Sequence, residues 1–394
     1  MTRIRRAIVA TLLLLIVLLS SGCWNRRELN TLGIVGLVGV DACEQGITTT
    51  FGIIIPEKSG KSSVGKTEAP PAKYVQASGK TIMDTVRDTS LRFDRKLFLS
   101  QAKAFLFSEE IARNGLGEYL DGILRYPEMR LSMHLIIVKD TSAADVMGVA
   151  SGINIIPSAY MEDIIKQYKV HSTSIDSRVL DFLKASTNNG INPVVTVFKK
   201  IKKNKIGEKG MLDEYELTAE GVAVFSKDKL VGFLDGQETR GYNWVIGNVH
   251  GATITFPTPG SNAITSVEVF NAESNNDVDI TGKEIKLKVN IRMNGMLDEQ
   301  TSSVNLQDID SIIESVEQGT SQAIKQEVEH TLLKVQKEYQ SDIFGFGQIV
   351  HRKYPDKWKT MQDHWNELFS QAIIEVVVQA KVTKTGKSSY PVVK

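Results

Sequence analysis

Hydrophobic and polar positions divide the chain into stretches of different period. Ile285, Leu287, Val289, Ile291 and Met293 alternate with Lys286, Lys288, Asn290 and Arg292. A period of two buries one face and wets the other, which predicts a strand in a half-solvated sheet. From residue 309 the period changes. Ile309, Ile312, Val316, Ile324, Val328, Leu332, Val335 and Tyr339 fall on one stripe. That spacing predicts a long amphipathic helix over 309–339, with Gly319 as its weak point. A helix near 357–369 and a strand over 373–382 follow, so the end of the chain is read as an α+β domain.

Upstream, 32–40 and 47–55 are apolar or β-branched and flank a polar 41–46, as in a hairpin. Ile82, Thr85, Val86 and Thr89 share a helical face within 81–91. Strands are expected over 104–107, 131–138 and 194–198, and a second hairpin over 218–225 and 229–234. Ser108 is expected to cap a helix opening with Glu109-Glu110. A Ser oxygen can accept an orphan helix N–H, and acids suit the positive end of the dipole. Helices are expected over 116–124, 142–147 and 158–168. Strands and helices alternate here, which predicts a mixed α/β layer structure. Asn188-Asn189-Gly190 and Pro193 mark a boundary. The expected division is a leader (1–22), an N-terminal mixed α/β domain (23–190), a β-rich middle segment (191–250) and a C-terminal α+β domain (251–394). The fold class is α+β, with mixed and antiparallel sheets.

The apolar run at 7–19 fits neither period. It follows Arg3, Arg5 and Arg6 and ends at Ser20-Ser21-Gly22-Cys23. A cationic start, a short apolar stretch and small residues make the layout of an export signal. The run is short for a spanning helix, which needs about 20 apolar residues. Small residues before a cysteine resemble a bacterial lipobox, although Ser20 stands where many have Leu. There the Cys23 sulfur takes a diacylglyceryl thioether and the leader is cleaved. The alternative is an uncleaved anchor over 7–25. Two or more acyl chains hold a protein firmly where one is marginal.

Composition changes once that leader is set aside. The 394 residues carry 47 Lys+Arg against 46 Asp+Glu, a formal charge of +1. Arg3, Arg5 and Arg6 belong to the leader, which has no acid, so the exported body is slightly acidic. That balance argues against a nucleic-acid partner, which calls for a basic surplus. With 42% hydrophobic and 24% charged residues, wholesale disorder is excluded. Two cysteines exclude a disulfide scaffold and a four-Cys zinc site. With Cys23 acylated, Cys43 is a lone thiol and is expected to be a buried structural residue.

Chemical motifs are few. Gly60-Lys61-Ser62-Ser63-Val64-Gly65-Lys66-Thr67 matches the phosphate-loop pattern letter for letter. That pattern works only where a strand leads in and a helix leads out, so that amides face the phosphate. Pro56 interrupts the approach and Pro70-Pro71 bar a helix after Thr67, so the match is read as coincidence. His134, His171, His250, His330, His351 and His364 show no metal-ligand spacing. No G-x-S-x-G elbow marks a serine nucleophile. Gly345 and Gly347 read as a tight turn with positive φ, and Phe344 and Phe346 as packing residues. The basic run 199–209 reads as a solvated loop between strands, with attraction to anionic lipid as the functional alternative. No catalytic, cofactor or metal site is nominated, and the chain is read as non-enzymatic.

Cys23-Trp24-Asn25-Arg26-Arg27-Glu28-Leu29 resembles the mature start of the Ger(x)C spore-germination lipoproteins, commonly C-W-D-R-R-E-[LI], with Asn25 for Asp. Five further stretches resemble that family in order: Ala77-Ser78-Gly79-Lys80-Thr81-Ile82, Ile111-Ala112-Arg113-Asn114-Gly115-Leu116, Gly221-Val222-Ala223-Val224-Phe225, Glu238-Thr239-Arg240-Gly241-Tyr242-Asn243-Trp244 and Asp342-Ile343-Phe344-Gly345-Phe346-Gly347. Gln101 stands where many relatives have His. The resemblance implies an elongated three-domain mixed α/β ectodomain, anchored through acylated Cys23 on the outer face of the spore inner membrane. It implies the C subunit of a nutrient germinant receptor, with A-type and B-type membrane subunits as partners and no established catalysis. The rival is a solute-binding lipoprotein that captures a small-molecule germinant between domains, a usual place for a ligand.

Overall fold

The computed structural model describes residues 2–19, 28, 31–55, 71–149, 153–202, 215–258, 264–300 and 309–384. Residues Thr2–Leu19 form a helix. Among the described residues no helix is long and apolar enough to cross a membrane. The strands are β1 Leu32–Cys43, β2 Gly46–Ile54, β3 Ala72–Gly79, β4 Lys96–Phe98, β5 Ala104–Ser108, β6 His134–Val138, β7 Val194–Lys202, β8 Tyr215–Ser226, β9 Lys229–Leu234, β10 Ala252–Pro257, β11 Ile264–Thr281, β12 Glu284–Gln300 and β13 Ile373–Lys384.

Among the described residues these strands form two sheets. The larger has the order β3-β2-β1-β5-β6-β7-β8-β9, with β4 beside β1. Its centre, β1-β5-β6-β7, is parallel, and antiparallel pairs flank it on both sides. Parallel strands are covered on both faces and so read as unbroken apolar runs. β5 and β6 are buried at every residue. Phe105 and Phe107 pack on one face with Ile82, Ile111, Leu120 and Phe182 from four helices. Ala104 and Leu106 pack on the other with Val146 and Met161. Mixed helices and strands in two sheets make this an α+β fold, as expected.

The second sheet is β10-β11-β12-β13. β11 and β12 form a long hairpin, and β13 returns parallel to β12 after the helix Ile309–Lys334. Ile285, Leu287, Val289, Ile291 and Met293 are all buried, as their alternation predicts. Val316, Ile324, Val328, Leu332 and Val335 of the helical stripe are buried beside them. The long helix runs unbroken through Gly319. A Cβ there would stand 2.3 Å from the Phe256 ring, so Gly319 marks a close approach and not a weak point. Residues Val335–Tyr339 form a π-turn at its end.

Residues 191–250, expected as a separate β-rich segment, supply β7, β8 and β9 to the large sheet and the helix Gly236–Ile246 to the core of the second. Val222, Val224 and Leu234 share that core with Trp244, Ile254 and Val328. Packing is therefore continuous from one sheet to the other.

Several local expectations need correction. β11 gave no clean alternation because a bulge at Phe270 shifts its phase. Thr265, Val267 and Val269 point inward before it, and Ala272, Val278 and Ile280 after it. The helix expected over 357–369 is two helices, Pro355–Met361 and Trp365–Gln371, joined by a 3-10 turn. Ser108 occupies the N-cap position, but its hydroxyl makes no capping bond and has no partner among the described residues. Cys43 is half-buried at the end of β1, not a core residue. Lys199 to Lys202 continue β7 as strand, paired with β8, and Lys200 lies over the Tyr215 ring at 4.4 Å. Residues 203–209 of that basic run lie outside the described residues.

On the second sheet, Lys353 Nζ donates to Asp279 Oδ1 at 3.0 Å, and Lys288 Nζ lies 2.6 Å from Asp279 Oδ2. These bonds lower the Asp279 pKa to about 2. A depressed carboxylate stabilises the fold above its unfolded pKa of about 3.9. That contribution is lost as pH falls through the folded value. Carboxyl NMR should find Asp279 titrating near 2, and Lys353→Ala should move it up toward the ordinary range.

Candidate functional site at the junction of the sheets

Cys23, the residue nominated for lipidation, lies outside the described residues, as does the phosphate-loop look-alike at 60–67. Of the other family-like stretches, 221–225 lies within β8 and 238–244 within the helix Gly236–Ile246, and the remaining three reach caps or turns. Thr81 caps the helix Ile82–Thr89 by accepting from Asp84 N at 3.1 Å. Asp235 and Glu238 close a capping box at the helix Gly236–Ile246, each side chain accepting the other's backbone N–H at 2.8 Å. The D-x-x-E spacing was a readable start signal for that helix, which the hydrophobic pattern alone had missed.

The two sheets are joined at Asp342, which is fully buried. Its Oδ1 accepts from Phe344 N at 3.0 Å and Gly345 N at 2.9 Å. Its Oδ2 accepts from Gly347 N and from Trp365 Nε1, both at 2.8 Å. Burial pushes this carboxyl above the ordinary aspartate range, and the four donors oppose that shift. Gly345 has φ +81°, as expected of the turn. Gly347 does not. It lies in the following helix, where a Cβ would stand 2.6 Å from both Gly190 Cα and Trp365 Nε1. It is glycine because two chain segments touch there.

The predicted boundary at 188–193 is thereby fastened down. Gly190 N donates to Asn188 Oδ1 at 2.8 Å, and Gln348 N donates to Gly190 O at 3.2 Å. Asn192 N donates to the Asp342 carbonyl at 2.7 Å, and Asn192 Nδ2 to Asn366 Oδ1 at 2.9 Å. Ser341 Oγ reaches Phe225 O, at the end of β8, at 2.7 Å. Phe344 and Phe346 are packed as expected, with ring centroids 6.0 Å apart. Tyr242 is 5.8 Å from Phe344, and Phe369 is 6.3 Å from Phe346. Asn192, Ser341, Asp342, Phe344, Phe346 and Trp365 of this seam are all buried.

A second polar cluster joins the capped helix to the long helix. Glu327 is 8% exposed and takes the Arg240 guanidinium, with Nε at 3.0 Å, and the Trp244 indole N–H at 3.3 Å. Glu238 takes Lys334 Nζ at 2.8 and 2.7 Å. Partial burial opposes the Lys334 charge, but the Glu238 bonds outweigh it and hold its pKa above the ordinary lysine range. A cavity of about 430 Å³ opens beside these pairs, lined by Gln237, Glu238, Thr255, Phe256, Glu327 and His330 among others. Its size suits a small ligand, although its buried carboxylates already bind internal cations. Sequence spacing gave no sign of these pairs, whose partners lie far apart in the chain. Of the six His, His134 is buried with Nδ1 2.8 Å from Asp176 Oδ1, a satisfied core contact.

Comparison with known proteins now bears on the fold. Residues 25–200 match the family described as "Spore germination protein N-terminal domain". Residues 220–386 match "Spore germination B3/ GerAC like, C-terminal". Spore germination protein KC of Bacillus subtilis (strain 168) is 24% identical, covering 99% of this chain and 98% of its own. Spore germination protein B3 of the same organism is 22% identical over 93% and 94%. The crystal structure of the GerBC protein superposes with a TM-score of 0.56 at 18% identity, covering 88% of this chain and 96% of that one. That structure shares the fold. With both halves of the chain matched in order, this protein belongs to the Ger(x)C family of spore germination proteins.

Proposed function

We propose that this chain is the lipid-anchored, non-enzymatic C subunit of a nutrient germinant receptor. The observation that carries this reading is the ordered match of the two family halves, downstream of an Arg-led apolar run that leads up to Cys23. Acylated Cys23 would hold the body on the exported side of the membrane, at the outer face of the spore inner membrane. A-type and B-type membrane subunits would dock on it there. The buried, hydrogen-bonded seam at Asp342 supports a mechanism of assembly, because it makes the two sheets one body able to present a fixed surface. Cys23→Ala should release the protein from membranes and abolish the nutrient response. Normal nutrient germination with a fully soluble Cys23→Ala protein would overturn the mechanism.

One observation favours a second reading, capture of a small-molecule germinant: the cavity of about 430 Å³ beside Glu238 and Glu327. Calorimetry of the exported body with amino acids and sugars separates the two. Micromolar binding, lost on filling the cavity with Ala323→Phe, would favour solute capture.

A further inference from the structure

An exposed turn lies beside the end of β1 at which the tether would enter the large sheet. β1 begins at Leu32, which pairs with Lys96 of β4. Phe93 packs on the next residue, so closely that a Cβ on Gly33 would stand 2.6 Å from its ring. The turn at 90–96 is thus fixed beside the start of β1. The nine residues from Cys23 to Thr31 span at most about 30 Å when extended. An acyl anchor on Cys23 therefore keeps this turn within reach of the bilayer surface.

What the turn exposes suits that surface. Leu91 is 81% exposed. Arg87, Arg92, Arg95 and Lys96 surround it in sequence and are exposed, against Asp88 and Asp94. Arg92 pairs with Asp88, which leaves Arg87, Arg95 and Lys96 against Asp94. A groove of about 670 Å³, lined in part by Arg87, Phe93, Arg95, Lys96 and Tyr126, separates this turn from the end of the helix Gly117–Arg125. There Leu124 is a second exposed leucine, at 49%. A single exposed leucine is ordinary on a soluble surface. This one is flanked in sequence by exposed cations beside the start of β1, and an apolar tip with flanking cations matches an anionic interface.

We propose that the turn at 90–96 is a membrane-docking surface. Leu91 enters the interfacial zone of an anionic bilayer, while Arg87, Arg95 and Lys96 meet phospholipid head groups. This fixes the orientation of the body on the bilayer, which attachment at Cys23 alone does not set. The proposal rests on acylation of Cys23. Each cation near an anionic surface strengthens association about fivefold, so three together contribute about 100-fold.

The test uses the mature acylated protein carrying Cys43→Ser and an environment-sensitive fluorophore on Ser90→Cys. The protein is reconstituted on vesicles with brominated acyl chains. The label should be quenched on phosphatidylglycerol vesicles and severalfold less on phosphatidylcholine vesicles or in high salt. Quenching should be lost in Leu91→Asp and in the Arg87→Gln, Arg95→Gln, Lys96→Gln triple variant. A label on Lys283, in the turn between β11 and β12, should stay unquenched. An unquenched Ser90→Cys label on protein that floats with the vesicles overturns the docking surface and leaves the anchor standing. Equal quenching at both positions, or quenching that survives the triple variant, overturns it as well. Protein that does not float removes the acyl anchor, and the proposal with it.

Discussion

Asp342→Ala should destabilise the protein by about 3–5 kcal/mol and loosen the seam between its sheets. The side chain is fully buried and accepts four hydrogen bonds, three from backbone N–H groups and one from the Trp365 indole. Alanine leaves all four donors without an acceptor and no water to replace it. Asparagine should rescue little. Each carboxylate oxygen accepts two donors, so an amide in either orientation turns its NH₂ toward two N–H groups. Urea unfolding of residues 23–394, followed by tryptophan fluorescence, measures both variants. A loss below about 1 kcal/mol for Asp342→Ala would mean that the turn finds other acceptors.

Glu327→Ala should cost about the same, 3–5 kcal/mol, for a different reason. Its loss strands the Arg240 guanidinium, whose side chain is only 17% exposed, and takes the acceptor from Trp244 Nε1. The charge left behind, more than the bond removed, sets the cost. Replacing both partners, Glu327→Met with Arg240→Met, should recover most of the stability, since neither charge is then buried alone. A double-mutant cycle reads this as a coupling of about 2 kcal/mol or more. A double variant no more stable than Glu327→Ala would show that packing around the methylene stems, not charge pairing, holds the two helices together.

The fold was legible where one residue's environment repeats along the chain. β12 and the long helix were read from their periods alone, because each buries a single continuous face. β1, β5 and β6 were read from unbroken apolar runs, because helices cover both of their faces. β11 was not legible. Its bulge at Phe270 shifts the buried positions by one, and its outward face carries Glu268, Glu273 and Asp277, which resemble a loop. The helix Gly236–Ile246 was missed because polar Glu238, Thr239 and Asn243 are buried on it beside Trp244. Its buried side is therefore too polar to show a stripe.

By itself the sequence determined the local and linear properties of this protein: the cationic, apolar start that runs up to Cys23, the period of its regular elements, and the ordered motifs that resemble the Ger(x)C family. Those depend only on neighbours along the chain. Tertiary structure alone decided which residues hold the body together. Gly347 is glycine because Gly190 touches it, Gly319 because the Phe256 ring lies against it, and Glu327 is tolerable inside because Arg240 reaches it. Each of these is a contact between residues far apart in sequence, and no pattern within one segment can encode its partner. The exposed turn at Leu91 acquires its proposed role in the same way, from the pairing of Lys96 with Leu32 at the start of β1.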